Sequence, residues 1–118
     1  MEERRTDERI PMSVPVRWET PSGVHRGVVL NGSAGGCFVE THGEDPGDEP
    51  LRFELQMPDG GRLHLWGEVA YYLPTMGFGL QFVDAPGDGD LRNEAWLAHL
   101  SVLKKGPVRE YQGSLVIA

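Results

Sequence analysis

The stretch Leu51-Arg52-Phe53-Glu54-Leu55-Gln56-Met57, followed by Pro58-Asp59-Gly60-Gly61 and then Arg62-Leu63-His64-Leu65, decides the fold. Large apolar side chains at 51, 53, 55 and 57 alternate with charged or amide side chains at 52, 54 and 56. That is the period of a strand with one buried face. The Pro-Asp-Gly-Gly step combines a fixed φ, a side chain that bonds its own backbone, and two residues free to take positive φ, so the chain reverses there. The return strand is predicted from Arg62 to Leu73, with Leu63, Leu65, Val69, Tyr71 and Leu73 on the core face. One antiparallel hairpin is therefore legible in the middle of the chain.

The same alternation extends outward on both sides. Met12, Val14, Val16 and Trp18 share a face between Met12 and Glu19, where Pro15 suggests an edge or a bulge. Val24 to Leu30 predicts a second strand and Gly36 to Thr41 a third, with Cys37 and Val39 toward the core. Residues 42–50 form an acidic loop rich in Gly and Pro, and Gly77 to Val83 predicts a last strand with Phe78, Leu80 and Phe82 on one face. From about Asp90, a plausible N-cap, the period becomes helical. Leu91, Ala95, Ala98 and Val102 lie along one stripe, with Trp96, Leu100 and Leu103 beside it. Lys104, Lys105, Gly106 and Pro107 suit a helix end. Six short strands, tight turns and one closing helix predict an all-β fold, a six-stranded antiparallel β-barrel with a C-terminal α-helix, because closure removes sheet edges. The expected organisation is an arginine-bearing arm (1–11), the barrel with its helix (12–105) and a tail (106–118), whose Leu115-Val116-Ile117 could add a strand, dock on a partner or fray.

Length and composition suit one globular domain: 118 residues, 39% hydrophobic and 25% charged. The net charge of −7 arises wholly after residue 30, since the first thirty residues hold five Arg and five acids. That balance argues against a nucleic-acid polymer as partner, which needs a broad basic surface. No apolar run is long enough for a membrane span, and Met-Glu-Glu-Arg-Arg is unlike a signal peptide. Cys37 is the single cysteine, so no internal disulfide can form, and a cytoplasmic location is expected. The four histidines have no metal-ligand spacing, and no nucleophile elbow, phosphate loop or His-Glu-x-x-His is present. No catalytic residue, metal or cofactor is therefore expected, and an enzyme acting on a phosphodiester is disfavoured.

Two polar motifs remain. Arg5-Thr6-Asp7-Glu8-Arg9 is an Arg-x-x-x-Arg preceded by Arg4, and 22 residues after Arg9 comes Asn31-Gly32-Ser33-Ala34-Gly35-Gly36, an Asn-x-Ser-x-x-Gly. In a helical turn Arg5 and Arg9 would share a face and repel, and an anion between them would reverse that sign. Each guanidinium offers a planar fork that matches phosphate oxygens or the O6/N7 edge of guanine. The alternative is a solvated terminus whose arginines pair with Glu2, Glu3, Asp7 and Glu8. The second motif reads as a turn or bulge. Its glycines permit close approach of a flat ligand, while Asn31 and Ser33 can bond a base edge or a phosphate oxygen. The alternative there is a plain Gly-rich connection. Trp66 faces away from Leu65 and Val69 and could stack on a base or pack under the helix.

In this order, at the head of a short strand-rich chain, the two motifs resemble the signature of the PilZ domain, a bacterial receptor module for cyclic di-GMP. Gly35-Gly36-Cys37-Phe38-Val39, Gly67-Glu68-Val69 and Gly77-Phe78-Gly79-Leu80-Gln81-Phe82 resemble further segments of that family, so the likeness spans roughly residues 4–104. The resemblance implies a six-stranded barrel with the nucleotide on its outer surface, clamped by the arm. It implies a ligand set of Arg4, Arg5, Arg9, Asn31, Ser33, Gly35 and Gly36. Arg5 and Arg9 would hold phosphates and guanine Hoogsteen edges, Asn31 a guanine edge and Ser33 the ligand's polar atoms, and Gly36 would leave space for the base. Asn31 stands where many members carry Asp, so one charge-assisted bond is lost and somewhat lower affinity is expected. Arg4 directly before the motif implies two intercalated nucleotides per chain rather than one. The function implied is a cytoplasmic cyclic di-GMP receptor or adaptor that signals to an unidentified protein partner, as a monomer or weak homodimer, in a process such as motility or biofilm formation. The competing reading is a PilZ-fold interaction module that does not bind the nucleotide.

Overall fold

Alternating apolar side chains close six strands into a ring: β1 (Ile10–Thr20), β2 (Gly23–Ser33), β3 (Gly36–Glu40), β4 (Leu51–Gln56), β5 (Arg62–Leu73) and β6 (Gly77–Phe82). They are followed by one helix, α1 (Asn93–Lys105). The computed structural model describes residues 8–84 and 93–105. The ring order is β1-β2-β3-β6-β5-β4, closed and antiparallel throughout. β1 begins at Ile10, two residues before the alternation read from the sequence.

The inward positions form one core. Val14, Val16 and Trp18 of β1 meet Val29, Cys37, Val39, Phe53, Leu55, Leu65, Phe78 and Leu80, all at most 5% exposed. Trp18 packs on Phe53 and edge-on against Phe78, with ring centroids 5.5 and 5.3 Å away. The β4–β5 reversal is the one expected: Met57 N–H donates to the Gly61 carbonyl at 2.9 Å, Asp59 Oδ1 accepts from Gly61 N–H at 2.8 Å, and Gly60 takes φ 94°.

Two sequence expectations need correction. The pairing of β5 with β6 slips between Val69 and Tyr71, so the strand's parity inverts there. Tyr71 and Leu73, expected in the core, point outward at 49% and 39% exposure, while Tyr72 packs against the core instead. On α1 the stripe that packs is Trp96 and Leu100, at 0% and 7% exposure, with Leu103 half-buried. Ala95, Ala98 and Val102 are exposed. The largest apolar side chain decides the helix's rotation, because burying an indole removes far more apolar surface than burying alanines. Trp96 thereby packs over the barrel end, edge-on to Phe82 at 5.3 Å.

Candidate functional site

Three local features assemble one surface. First, β2 and β3 are joined at a tight reversal through Ala34 and Gly35, so the Asn-x-Ser-x-x-Gly motif occupies the end of β2, the turn and the start of β3. Of the turn or bulge read from the sequence at Asn31–Gly36, the turn is the one present, and a register shift between Val29 and Asn31 bulges β2 just before it. Second, residues 8–10 lead into β1, whose first pairs are Ile10 with Gly32 and Pro11 with Asn31. That register carries Arg9 to the second motif, where its Nη1 donates to Ser33 Oγ at 3.3 Å. Third, the β5 slip turns Tyr71 outward, opposite Gly79 of β6. The ring lies over Gly79 so closely that any Cβ there would collide with it. Phe38 stacks beside Tyr71, with ring centroids 6.3 Å apart and planes inclined by 26°.

Together these features border a cleft of about 320 Å³ over β3, β5 and β6, lined among others by Arg9, Ser33, Gly35, Gly36, Tyr71 and Gln81. Among the described residues no carboxylate lines it, although the chain as a whole carries −7. Burial pushes the Cys37 thiol on its floor up to about 12, against the pull of the Arg9 charge. The thiol therefore stays neutral and does not oppose an anion. The cleft thus offers the exposed Arg9 guanidinium, the exposed Gly35 backbone and the Tyr71 ring, over a floor in which the Ser33 hydroxyl, 1% exposed, and Gly36 are buried.

The predicted site residues divide accordingly. Arg9, Ser33, Gly35 and Gly36 come together at the cleft. Asn31 sits half-buried on β2 beside the cleft, and its Oδ1 is buried with no hydrogen-bond partner among the described residues. Arg4 and Arg5 lie outside the described residues. For Gly36 the structure supplies a packing reason as well: a Cβ there would strike the Leu80 carbonyl of the paired strand. Tyr71 was missed as a surface residue. Its signal was Gly79, a glycine inside a strand facing an aromatic, a cross-strand pairing in which the ring covers the bare backbone. Trp66 lies elsewhere, over a hollow near Arg17 and Glu54, and is not the indole that packs beneath the helix.

The cleft is wired to α1. Trp96 Nε1–H donates to the Ser33 carbonyl at 2.8 Å in a buried hydrogen bond. Glu8, adjacent to Arg9, pairs with Lys104 Nζ at 3.2 Å. The first link is shielded from water, whereas the second is exposed and worth at most about 1 kcal/mol. Among the described residues no cluster of three or more His, Cys, Asp or Glu could hold a metal, and no helix is long and apolar enough to cross a membrane.

The PilZ domain family model matches residues 3–98. The chain belongs to the PilZ family. Solved PilZ structures share the barrel. The PilZ domain of CeSA from a cellulose-synthesising bacterium matches with TM-score 0.58 at 21% identity, covering 80% of this chain and 98% of that one. The Bacillus subtilis inhibitor of motility MotI/DgrA matches with TM-score 0.67 at 18% identity, over 89% of this chain and 53% of its own. YcgR of Escherichia coli, in complex with c-di-GMP, matches with TM-score 0.67 at 15% identity, over 86% of this chain and 47% of its own. The PilZ chain described here thus spans about half the length of the latter two. No curated relative matches the sequence.

Proposed function

We propose that this PilZ domain is a cytoplasmic cyclic di-GMP receptor that converts nucleotide binding into a contact with a protein partner, without chemistry of its own. The observation that carries the reading is the Arg9–Ser33 hydrogen bond. It joins Arg9 of one motif to Ser33 of the other, 24 residues on, at a cleft where no carboxylate lies among the described residues, in an acidic protein. The YcgR structure, a complex with c-di-GMP that shares this fold over 47% of its length, supports the choice of ligand. The likeness to MotI/DgrA, described as an inhibitor of motility, favours motility as the regulated process.

In this reading Arg5 and Arg9 take phosphate oxygens and guanine edges, with Arg4 offsetting the charge of a second nucleotide. Ser33 and Asn31 bond polar atoms of the ligand, and Gly35 and Gly36 leave the backbone approachable. Tyr71 adds a π-face on the opposite bank of the cleft, suited to a purine ring. The arm, the barrel with its helix and the tail are then ligand clamp, scaffold and extension. Because the Ser33 carbonyl holds Trp96, a ligand that shifts Ser33 also loads α1, which makes the helix the output element.

Amide spectra recorded during addition of cyclic di-GMP test the placement. Saturable shifts at Ser33, Gly35, Gly36, Tyr71 and Gly79, with two nucleotides bound per chain, are expected. Saturation at one nucleotide would remove the role given to Arg4, and no saturable shift at these residues would leave the interaction-module reading.

A further inference from the structure

The barrel's cations are all on one side. Between Ile10 and Asp84 the only Lys or Arg residues are Arg17, Arg26, Arg52 and Arg62, against ten Asp and Glu. Register places them together. Arg26 of β2 pairs with Arg17 of β1, Arg17 with Glu54 of β4, and Glu54 with His64 of β5, making one continuous row across four strands. In the rows to either side, Arg52 pairs with Trp66, and Gln56 with Arg62. These are the outward positions of strands whose alternate residues form the core.

Two details of this face are costly for the domain alone. Arg17 and Arg26 stand directly opposite each other, a like-charge pair that disfavours the sheet. Arg17 Nε is buried with no partner among the described residues. Two carboxylates partly compensate: Glu54 reaches Arg17 at 3.5 Å, Arg62 at 3.4 Å and His64 at 3.4 Å, and the exposed Glu19 reaches Arg17 at 3.7 Å. Beside Arg17 and Glu54 lies a hollow of about 380 Å³ with Trp66 and Arg52 on its wall. Trp and Arg are the residues that most often carry binding energy at protein interfaces.

The hollow on this face and the nucleotide cleft share only β5, the hollow at His64 and Trp66 and the cleft at Ala70 and Tyr71. In β1-β2-β3-β6-β5-β4, the β1–β4 seam lies diametrically across from the β3–β6 seam. From these placements we infer that the β1–β4–β5 face is a second binding surface that docks an acidic segment of a partner protein. The segment's carboxylates take the Arg17, Arg26, Arg52 and Arg62 guanidinium groups, and an apolar side chain enters the hollow beside Trp66. A protein segment fits better than a nucleic acid. The acidic loop bearing Glu44, Asp45, Asp48 and Glu49 runs into Pro50 at the edge of the hollow. It would repel an extended polyanion but not a short segment confined to the arginine row. The nucleotide can remain bound on the far side while the partner docks.

The test uses a fluorescein-labelled peptide with a central Leu flanked by Asp and Glu, its Lys-substituted counterpart, and a short duplex DNA. Each is titrated at low and at physiological ionic strength. Saturable binding of the acidic peptide alone is expected, with a shift of the Trp66 indole N–H resonance. Arg26→Glu combined with Arg52→Glu, both at exposed positions, should weaken it about tenfold or more. The same pair should leave cyclic di-GMP binding unchanged. Glu54→Gln should strengthen peptide binding several-fold, because it removes the built-in competitor, an effect that a purely structural ion pair would not produce. Four results would overturn the inference: undiminished peptide binding in the double variant, preferential binding of DNA, arginine-dependent self-association in place of peptide binding, or no saturable binding by the wild type.

Discussion

Replacing Trp96 with Phe probes the join between barrel, motif and helix. Trp96 is fully buried, packs edge-on to Phe82, covers Gly32 where a Cβ would collide with its ring, and donates to the Ser33 carbonyl at 2.8 Å. Phe keeps one ring but loses the donor, so a buried acceptor loses its partner at a cost of about 1–3 kcal/mol. The missing part of the indole leaves unfilled space against Gly32, worth a further ~1–2 kcal/mol. The sum, roughly 2–5 kcal/mol, is a large share of the roughly 5–15 kcal/mol that holds a domain of this size. Urea unfolding followed by far-UV circular dichroism reads it directly: the midpoint should fall while the slope stays constant. Val102→Ala is the control, since that side chain is 66% exposed on the same helix and should change stability by less than about 0.5 kcal/mol. If Trp96→Phe unfolded within about 0.5 kcal/mol of wild type, the helix would not be anchored through this bond, and its role as output element would fall with it.

Gly36→Ala should destabilise the barrel by roughly 2–4 kcal/mol in the same assay, because its Cβ would push β3 away from the Leu80 carbonyl; a neutral substitution would contradict the packing. Burial holds His99 below its ordinary value of 6.5, with Asp59 opposing. The unfolded chain then takes up a proton that the folded chain does not, so stability is full above about 6.5 and declines as pH falls below it. A His99→Leu variant should show a shallower fall of unfolding midpoint across that acid range, and superimposable profiles would count against the assignment. Cys37, 2% exposed and pushed up to about 12, should react with a thiol reagent only at the rate of global unfolding; fast labelling of the folded protein would refute its burial.

Much of the fold was legible because period-two alternation and turn chemistry are local. Leu51 to Leu65 declares both strands and the reversal between them, and Phe78, Leu80 and Phe82 declare the face of β6. What the alternation could not show was a break in its own parity. The β5 slip at Ala70 depends on pairing with β6, a strand several residues away, and it moved Tyr71 from the expected core to the rim of the cleft. The helix posed a different difficulty. Its apolar residues spread over more than one stripe, and only the open barrel end, with Gly32 leaving room for an indole, selects Trp96 and Leu100. At the site, residue types and spacing announced Arg9, Ser33, Gly35 and Gly36, but only the β1–β2 register brings Arg9 onto Ser33. The row Arg26, Arg17, Glu54 and His64 across β2, β1, β4 and β5 was invisible in one dimension, since its two hairpins meet only through the pairing of β1 with β4.

The receptor reading is tested most directly by calorimetric titration of cyclic di-GMP into the wild-type protein and into the Arg5→Ala/Arg9→Ala double variant, with urea unfolding run on both. Each lost charged, bidentate contact is worth about 1.5–3 kcal/mol, so the double variant should bind at least about a hundredfold more weakly or not at all. Its unfolding midpoint should stay close to that of the wild type, because Arg9 is exposed on the segment leading into β1. Undiminished binding in a folded double variant, or no binding by the wild type, would contradict the assignment.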